Sequence, residues 1–346
     1  MNAMPAFVMR PSRRDDFDAL MELAELSGPG FTSLPVNEAL MRKRLDLSSR
    51  AFAGDLEQPQ YGKYLMMMED AETGEIGGCS AVKAGVGIDY PFFNYRIITL
   101  AQASQAADRR FDMDALILTN EFVGFTEVGT LFLKESFRGG GAGRLAAQAR
   151  YLLMAAAPQR FGERVLAELR GVVDDTGETP FWDCLGAHFF RMSFTEADFL
   201  SAVSDNQFIL DLMPKYPIYV DLLPPEAREV IGRVHSAGVG ALKLLEWEGF
   251  RFERVVDIFD GGPLVTCERS KIRTISESEV VVLEAGDVDA DAPRGLVATD
   301  RLPEFRVTQA QLDMTGDGRA VAGPDVFDRL QVRPGAAVRI WTRRER

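Results

Sequence analysis

The sequence predicts an α/β (α+β) protein, a mixed sheet flanked by helices, and three observations carry that prediction. The first is the stretch from Glu127 to Ala157, where Val128, Thr130, Leu131, Phe132 and Leu133 form a β-prone apolar run. A glycine-dense turn follows, Arg138-Gly139-Gly140-Gly141-Ala142-Gly143, and then Leu145, Ala149, Leu152, Leu153 and Ala156 recur at helical spacing. The second is the order of what precedes it, a strand, two helices and a hairpin. The third is a change near Ser276 to short β-prone runs separated by Gly, Asp and Pro, which reads as a small C-terminal β-barrel. The expected domains are therefore 1–200, 201–275 and 276–346.

Each element has a local reason. Phe7 to Arg10 reads as a first strand, and Ser12 with Asp15 three residues on resembles the opening of a helix with Phe17, Leu20, Met21 and Ala24 on one face. Gly28 fits its C-cap. Asn37 fits the N-cap of a second helix ending near Gly54. Leu65–Glu69 and Ile76–Val86 read as a hairpin around Glu72-Thr73-Gly74, and the run 128–133 as a strand buried on both faces. Between 89 and 126 lie two strand-like pieces, Arg96–Leu100 and Ala115–Leu118, with aromatics Tyr90, Phe92, Phe93 and Tyr95 read as core. Arg164–Val172 is the next strand. Helical stretches at Thr179–Phe190 and Ala241–Phe250 end alike, the second followed by a strand at Arg254–Phe259, and they suggest a second, degenerate half of the same plan. Phe327–Trp341 reads as strand, turn and strand.

Composition excludes several classes. A hydrophobic share of 46% and a charged share of 26% are those of an ordinary globular protein. The net charge of −13 (39 basic against 52 acidic residues) argues against a nucleic-acid partner. An anionic ligand must then be held by local N–H groups and a few cations. No apolar run approaches the ~20 residues of a membrane span, and the N-terminus lacks a signal-peptide core. Cys79, Cys184 and Cys267 have no metal-ligand spacing, so reduced thiols in a cytoplasmic protein without a metal are expected. With only His188 and His235 present, few groups titrate near neutrality.

The loop 138–143 supports chemistry because glycines let a backbone approach a ligand with several N–H groups converging. The helix start adds partial positive charge, so the place suits a phosphate. Three readings compete. One is a tight structural turn. Another is a dinucleotide fingerprint, since Gly141-x-Gly143-x-x-Ala146 fits G-x-G-x-x-A. Against that, the loop comes late in the chain, no regular βαβ series follows, and the nearest suitable acid, Glu163, precedes the next strand. The third is the pyrophosphate loop of the GNAT acyltransferases, Arg/Gln-x-x-Gly-x-Gly/Ala, which Arg138-x-x-Gly141-x-Gly143 resembles in full, with the right strand and helix on either side.

Further blocks make the resemblance more specific. Thr32-Ser-Leu-Pro-Val-Asn-Glu38, Asn94-Tyr-Arg96, Thr130-Leu-Phe-Leu133, Glu168-Leu-Arg-Gly171, Pro180-Phe-Trp182, Leu212-Met-Pro-Lys215, Val230-Ile-Gly-Arg-Val-His235 and Asp257-Ile-Phe-Asp-Gly-Gly-Pro263 resemble the arginine N-succinyltransferase family. The similarity runs from Val8 to the C-terminus. It implies a GNAT-like mixed sheet and transfer of succinyl from succinyl-CoA to the α-amino group of L-arginine, with no permanently bound cofactor. Relatives exist as paired paralogous subunits, so a homo- or hetero-oligomer is implied, and a non-catalytic acyl-CoA-binding subunit is the alternative. L-ornithine is a second acceptor that the sequence does not separate from arginine.

Roles follow by residue. Arg138 and the backbone of Gly139, Gly140, Gly141, Ala142 and Gly143 would hold the pyrophosphate. The preceding strand would splay from its neighbour and offer main-chain groups near Leu131 and Leu133; the family places a succinyl-CoA contact at Leu131. Family resemblance makes His235 the proton donor, which suits an imidazole working near neutral pH. Glu127, at the start of that strand, is the second candidate base. From residue type and position alone, Asn120 and Glu121 are candidates for the guanidinium and Arg170 for the succinyl carboxylate. His188 reads as packing or surface, and Cys184 as an inert thiol.

Overall fold

A computed structural model describes residues 6–28, 31, 33–174, 177–204 and 206–343. Pro29, Gly30 and Thr32, between Gly28 and Asn37, lie outside the described residues. The chain opens with β1 (Phe7–Pro11), α1 (Phe17–Ser27), α2 (Glu38–Ala53), β2 (Lys63–Asp70) and β3 (Ile76–Lys83). A long hairpin follows, β4 (Asn94–Ser104) and β5 (Arg109–Thr119), then β6 (Thr126–Leu133), α3 (Ala142–Ala156) and β7 (Arg164–Glu168). After several short helices and β8 (Ile218–Tyr219), a helix Val239–Glu248 leads to β9 (Arg251–Asp257) and β10 (Pro263–Glu268). The last strands are β11 (Glu279–Ala285), β12 (Arg294–Thr299), β13 (Val307–Gln311), β14 (Asp313–Met314), β15 (Arg319–Ala322) and β16 (Ala336–Thr342).

All of them belong to a mixed sheet ordered β14-β15-β11-β16-β12-β13-β1-β2-β3-β6-β7-β10-β9-β4-β5-β8. The C-terminal strands, expected as a separate barrel, form one flank of it, because β13 pairs antiparallel with β1 through Val8 and Thr308. The middle of the sheet is covered twice. In β2, Leu65 and Met67 pack with Leu20, Leu23, Met41 and Leu45 of α1 and α2. The alternate residues Tyr64, Met66 and Met68 pack with Leu145, Ala149, Leu152 and Leu153 of α3. The period of two along a strand thus serves two helical layers.

Local chemistry explains the boundaries. The Asn37 side chain accepts from the Leu40 N–H at 3.0 Å, and Gly54 closes α2 in the left-handed region. Ser12 is not a helix cap. Its hydroxyl is buried and donates to Ser48 at 2.9 Å, while Asp16 closes a short turn on the Arg13 N–H, so the helix begins at Phe17. The 128–133 run is buried less fully than expected: Val128 and Leu133 are buried, but Leu131 and Phe132 only in part. Of the aromatics read as core, Tyr95 is buried and Tyr90 is half exposed. The strand at 164 stops at Glu168, short of Val172. Phe327 lies in a helix, Pro324–Leu330, which burial of Val326, Phe327 and Leu330 on one face and Pro324 at its first turn favour over a strand.

One buried network joins three helices. The Gln148 Nε2 of α3 donates to Thr274 Oγ1 at 2.6 Å and to Glu248 Oε1 at 3.2 Å. Thr274 in turn donates its N–H and hydroxyl to Glu248, at 2.8 and 2.6 Å. Thr274→Val keeps the shape and deletes the hydroxyl. It is expected to lower stability by about 1–3 kcal/mol in denaturant unfolding, because the buried Glu248 and Gln148 lose a partner.

Candidate active site

The site begins where two parallel strands stop pairing. β6 and β7 match only at Thr126 with Val165 and at Glu127 with Leu166. Against β3 on its other side, β6 carries a bulge, since the register shifts between Cys79 and Ala81. Thr130 takes up the extra residue at φ +52°. A β-branched residue in the left-handed region is strained, which is common where a chain is bent for function. Beyond Glu127 the edge of β6 facing β7 has no ladder partner among the described residues, and the fork opens beside Gly129, Thr130 and Leu131. A Cβ placed on Gly129 would meet only Glu127 Oε1, at 3.5 Å.

The strand then feeds the loop. Arg138 is exposed, and its Nε donates to the Leu133 carbonyl at 3.2 Å, which holds the guanidinium beside the turn. Gly139, Gly140 and Gly141 sit at φ +98°, +56° and +90°, conformations that glycine adopts without strain. The exposed N–H groups of Gly139, Gly140 and Gly141, and that of Gly143 in the first turn of α3, have no acceptor among the described residues. Four such donors at the N-terminus of a helix suit an anion. The C-terminal flank braces the loop. Gln309 of β13 donates to the Gly141 carbonyl at 3.2 Å, and a Cβ on Gly141 would come within 2.4 Å of that amide.

His235 lies at the end of β7. Its N–H donates to the Arg170 carbonyl at 2.8 Å, and its Nδ1 accepts from the Ala237 N–H at 3.2 Å. In the neutral ring that leaves Nε2 as the nitrogen carrying the proton. The helix Val239–Glu248 that follows is anchored to α3 by the Gln148–Glu248–Thr274 network.

The other sequence candidates fall elsewhere. Glu127 is half-buried at the last shared pair of the fork. Glu121 forms a two-pronged pair with Arg96, both contacts at 2.7 Å, and the Asn120 Oδ1 accepts from the Phe92 N–H at 3.1 Å. Both therefore have partners within the chain. Arg170 is influenced by the carboxylates of Asp260 and Asp198, and burial lowers its pKa. His188 is exposed. Cys79 and Cys267 are buried thiols whose pKa values burial pushes up to about 12 and about 11; Cys184 is raised for the same reason.

Sequence reasoning missed a cluster of carboxylates on β7 and the β9–β10 turn. Burial, then the neighbouring Asp257, holds the Glu168 carboxyl well above the usual range, and Glu127 and Asp260 add to it. Burial and then Asp257 push Asp260 up to about 8, and burial and then Asp260 push Asp198 up to about 6. Asn94 donates Nδ2 to Glu168 Oε1 at 3.1 Å. Glu168, Asn94, Asp257 and Asp260 all stood inside the matched blocks, but nothing in the sequence shows that these blocks converge.

Comparison with known proteins shows the family. Residues 7–274 match the family described as "Arginine N-succinyltransferase beta subunit", and residues 278–342 match the C-terminal domain of the same family. A protein named arginine N-succinyltransferase from Escherichia coli is 40% identical over 334 residues, covering 96% of each chain. One of that name from Salmonella paratyphi B is 41% identical over the same span, with the same coverage. The solved structure of arginine/ornithine succinyltransferase subunit AI from Pseudomonas aeruginosa superposes with a TM-score of 0.89 at 31% identity, covering 97% of this chain and 98% of that one. Fold and relatives together define an acyltransferase. The chain belongs to the arginine N-succinyltransferase family.

The raised acids give a pH prediction. The unfolded chain releases their protons near pH 4, whereas the folded chain holds them to about 6 for Asp198 and about 8 for Asp260. The folded state therefore binds more protons across that window, and these groups remove stability as pH rises through it. Thermal unfolding at pH 6 and pH 8 should show a larger loss in the parent than in Asp260→Asn. Equal losses would contradict the assignment.

Proposed function

We propose that the chain transfers the succinyl group of succinyl-CoA to the α-amino group of L-arginine, giving N-succinylarginine and CoA in arginine breakdown. The observation that carries the mechanism is the junction of the open β6 edge with the glycine loop. The pyrophosphate would sit on the N–H groups of Gly139 to Gly143 with Arg138 beside it, and the pantetheine arm would follow the β6 edge past Leu133 and Leu131. A main-chain N–H near Leu131, aimed at the thioester oxygen, would stabilise the charge that develops there, a contribution on the order of 3 kcal/mol for one such donor.

The amine attacks the thioester carbon, so a C–N bond forms and the C–S bond breaks. An ammonium must lose two protons to become an amide nitrogen; one ends on the CoA sulfur and the other reaches solvent. Glu127, at the mouth of the fork, would take the proton that reaches solvent. His235 would pass its Nε2 proton to the departing sulfur and take the second amine proton back on the same nitrogen, so the ring ends neutral. Transfer is direct, within a ternary complex, since the buried thiols are unsuited to forming an acyl-enzyme. No helix of the described residues is long and apolar enough to cross a membrane. A cytoplasmic, oligomeric enzyme belongs to this reading, as does the absence of a permanently bound cofactor. The name of the Pseudomonas aeruginosa neighbour pairs ornithine with arginine, which makes L-ornithine the second acceptor to assay.

Thiol release from succinyl-CoA should require L-arginine and fall by about 10²–10⁴ in His235→Ala, as for loss of a general acid or base. A near-parental variant would move the role to Glu127. A parent that binds succinyl-CoA without turnover would favour the non-catalytic subunit instead. Gly141→Ala places a side chain at φ +90° against Gln309 and should raise the KM for succinyl-CoA more than that for arginine.

A further inference from the structure

We infer that Glu168, together with the side-chain carbonyl of Asn94, is the seat for the acceptor's guanidinium. The inference rests on the reading above and names the residues that select its substrate.

Three observations converge on that place. Position comes first. Continuing the β6–β7 register from Glu127 and Leu166 by two residues sets Glu168 opposite Gly129, where the strands have already parted. Glu168 therefore stands on the wall of the fork, and the glycine across from it leaves room. Gly129 and Leu131 are two residues apart, at most about 6.6 Å along a strand and less across the bulge at Thr130. That is comparable with an extended arginine side chain, so a guanidinium at Glu168 leaves the α-amine near Leu131.

Unfilled hydrogen-bonding capacity comes second. Among the described residues, Glu168 accepts one side-chain hydrogen bond, from Asn94 Nδ2, and has no cationic partner. Asn94 is fully buried, and its Oδ1 has no partner among the described residues. That amide is fixed against Glu168 by its own N–H, so its orphan oxygen lies at the same cluster. A buried acceptor without a donor is costly, and one is seldom left so without a reason. The neighbouring acids differ. Asp257 Oδ1 accepts from the N–H groups of Phe259 and Asp260, at 2.7 and 2.8 Å. Asp260 accepts from Gly171 and Gly262, at 2.7 and 2.8 Å. Those two shape the turn; Glu168 and the Asn94 carbonyl are what remain for a ligand.

Charge comes third. Asp257, Glu127 and Asp260 act on Glu168, all of them acids, while Arg170 is engaged by Asp260 and Asp198. A group of carboxylates with too few donors is matched by a planar cation with several N–H groups. A guanidinium can donate to Glu168 and to Asn94 Oδ1 together, and its charge offsets the burial and repulsion that raise the Glu168 carboxyl pKa.

The test compares the parent, Glu168→Gln and Glu168→Asp in the full chain, using L-arginine and its neutral isostere L-citrulline. Arginine binding is measured by calorimetry and transfer by thiol release. Glu168→Gln should raise the KM for arginine at least 10-fold with a smaller change in kcat and in the KM for succinyl-CoA. It should also shrink the preference for arginine over citrulline, and Glu168→Asp should restore part of both. A Glu168→Gln variant with parental KM and parental discrimination overturns the site. So does one that loses kcat at unchanged KM, which would make Glu168 a proton acceptor. If the parent binds arginine and Glu168→Gln does not, while neither transfers succinyl, the functional reading fails and the cation seat stands.

Discussion

Parallel strands β6 and β7 share two residue pairs and then part, and the parting is enforced on the far side of β6. There the bulge at Thr130 adds a residue against β3, bends β6 and reverses which face its later residues present. Val128 lies in the α3 core before the bulge; after it Leu131 packs on that same core, although the two are an odd number of residues apart. The unmade ladder between the strands is what a ligand can use. The same displacement delivers the chain to the glycine loop and hence to α3. A straight β6 would close the fork and leave the loop as a mere turn.

The two loops that flank the fork are held by one another's supports. α3 begins at the glycine loop, and the helix Val239–Glu248 begins just after His235. Gln148, Glu248 and Thr274 tie the two helices together inside the core. The C-terminal flank has a part in this as well. Arg329 donates to Thr308 and to the Gln309 carbonyl, both at 3.1 Å, and Gln309 donates to Gly141. The strands of that flank thus brace the glycine loop from behind. Pre-set geometry of this kind limits how much order a bound CoA must impose.

Much of the fold was legible because its signals are local. Asn37, Gly28, Gly54 and the 72–74 turn mark their elements by side-chain and backbone chemistry that acts within a few residues. The helical stretch at 324–330 was misread because a six-strand flank surrounds it and its apolar residues are too few to show a period. The glycine loop was legible for the same local reason. The acid cluster was not: Asn94 and Glu168 are 74 residues apart, and Asp257 comes beside Asn94 only because β9 pairs with β4. Glu121 shows the converse. As a sequence it is a carboxylate near the site strand, and only the fold reveals that Arg96 already engages it.

The most direct measurement is a crystal structure of the protein with CoA and L-arginine bound together. The account predicts the pyrophosphate on the N–H groups of Gly139 to Gly143, the pantetheine along the β6 edge, and the arginine α-amine facing the sulfur beside Leu131. CoA bound away from the fork, or β6 and β7 zipped together with the ligand outside them, would contradict it.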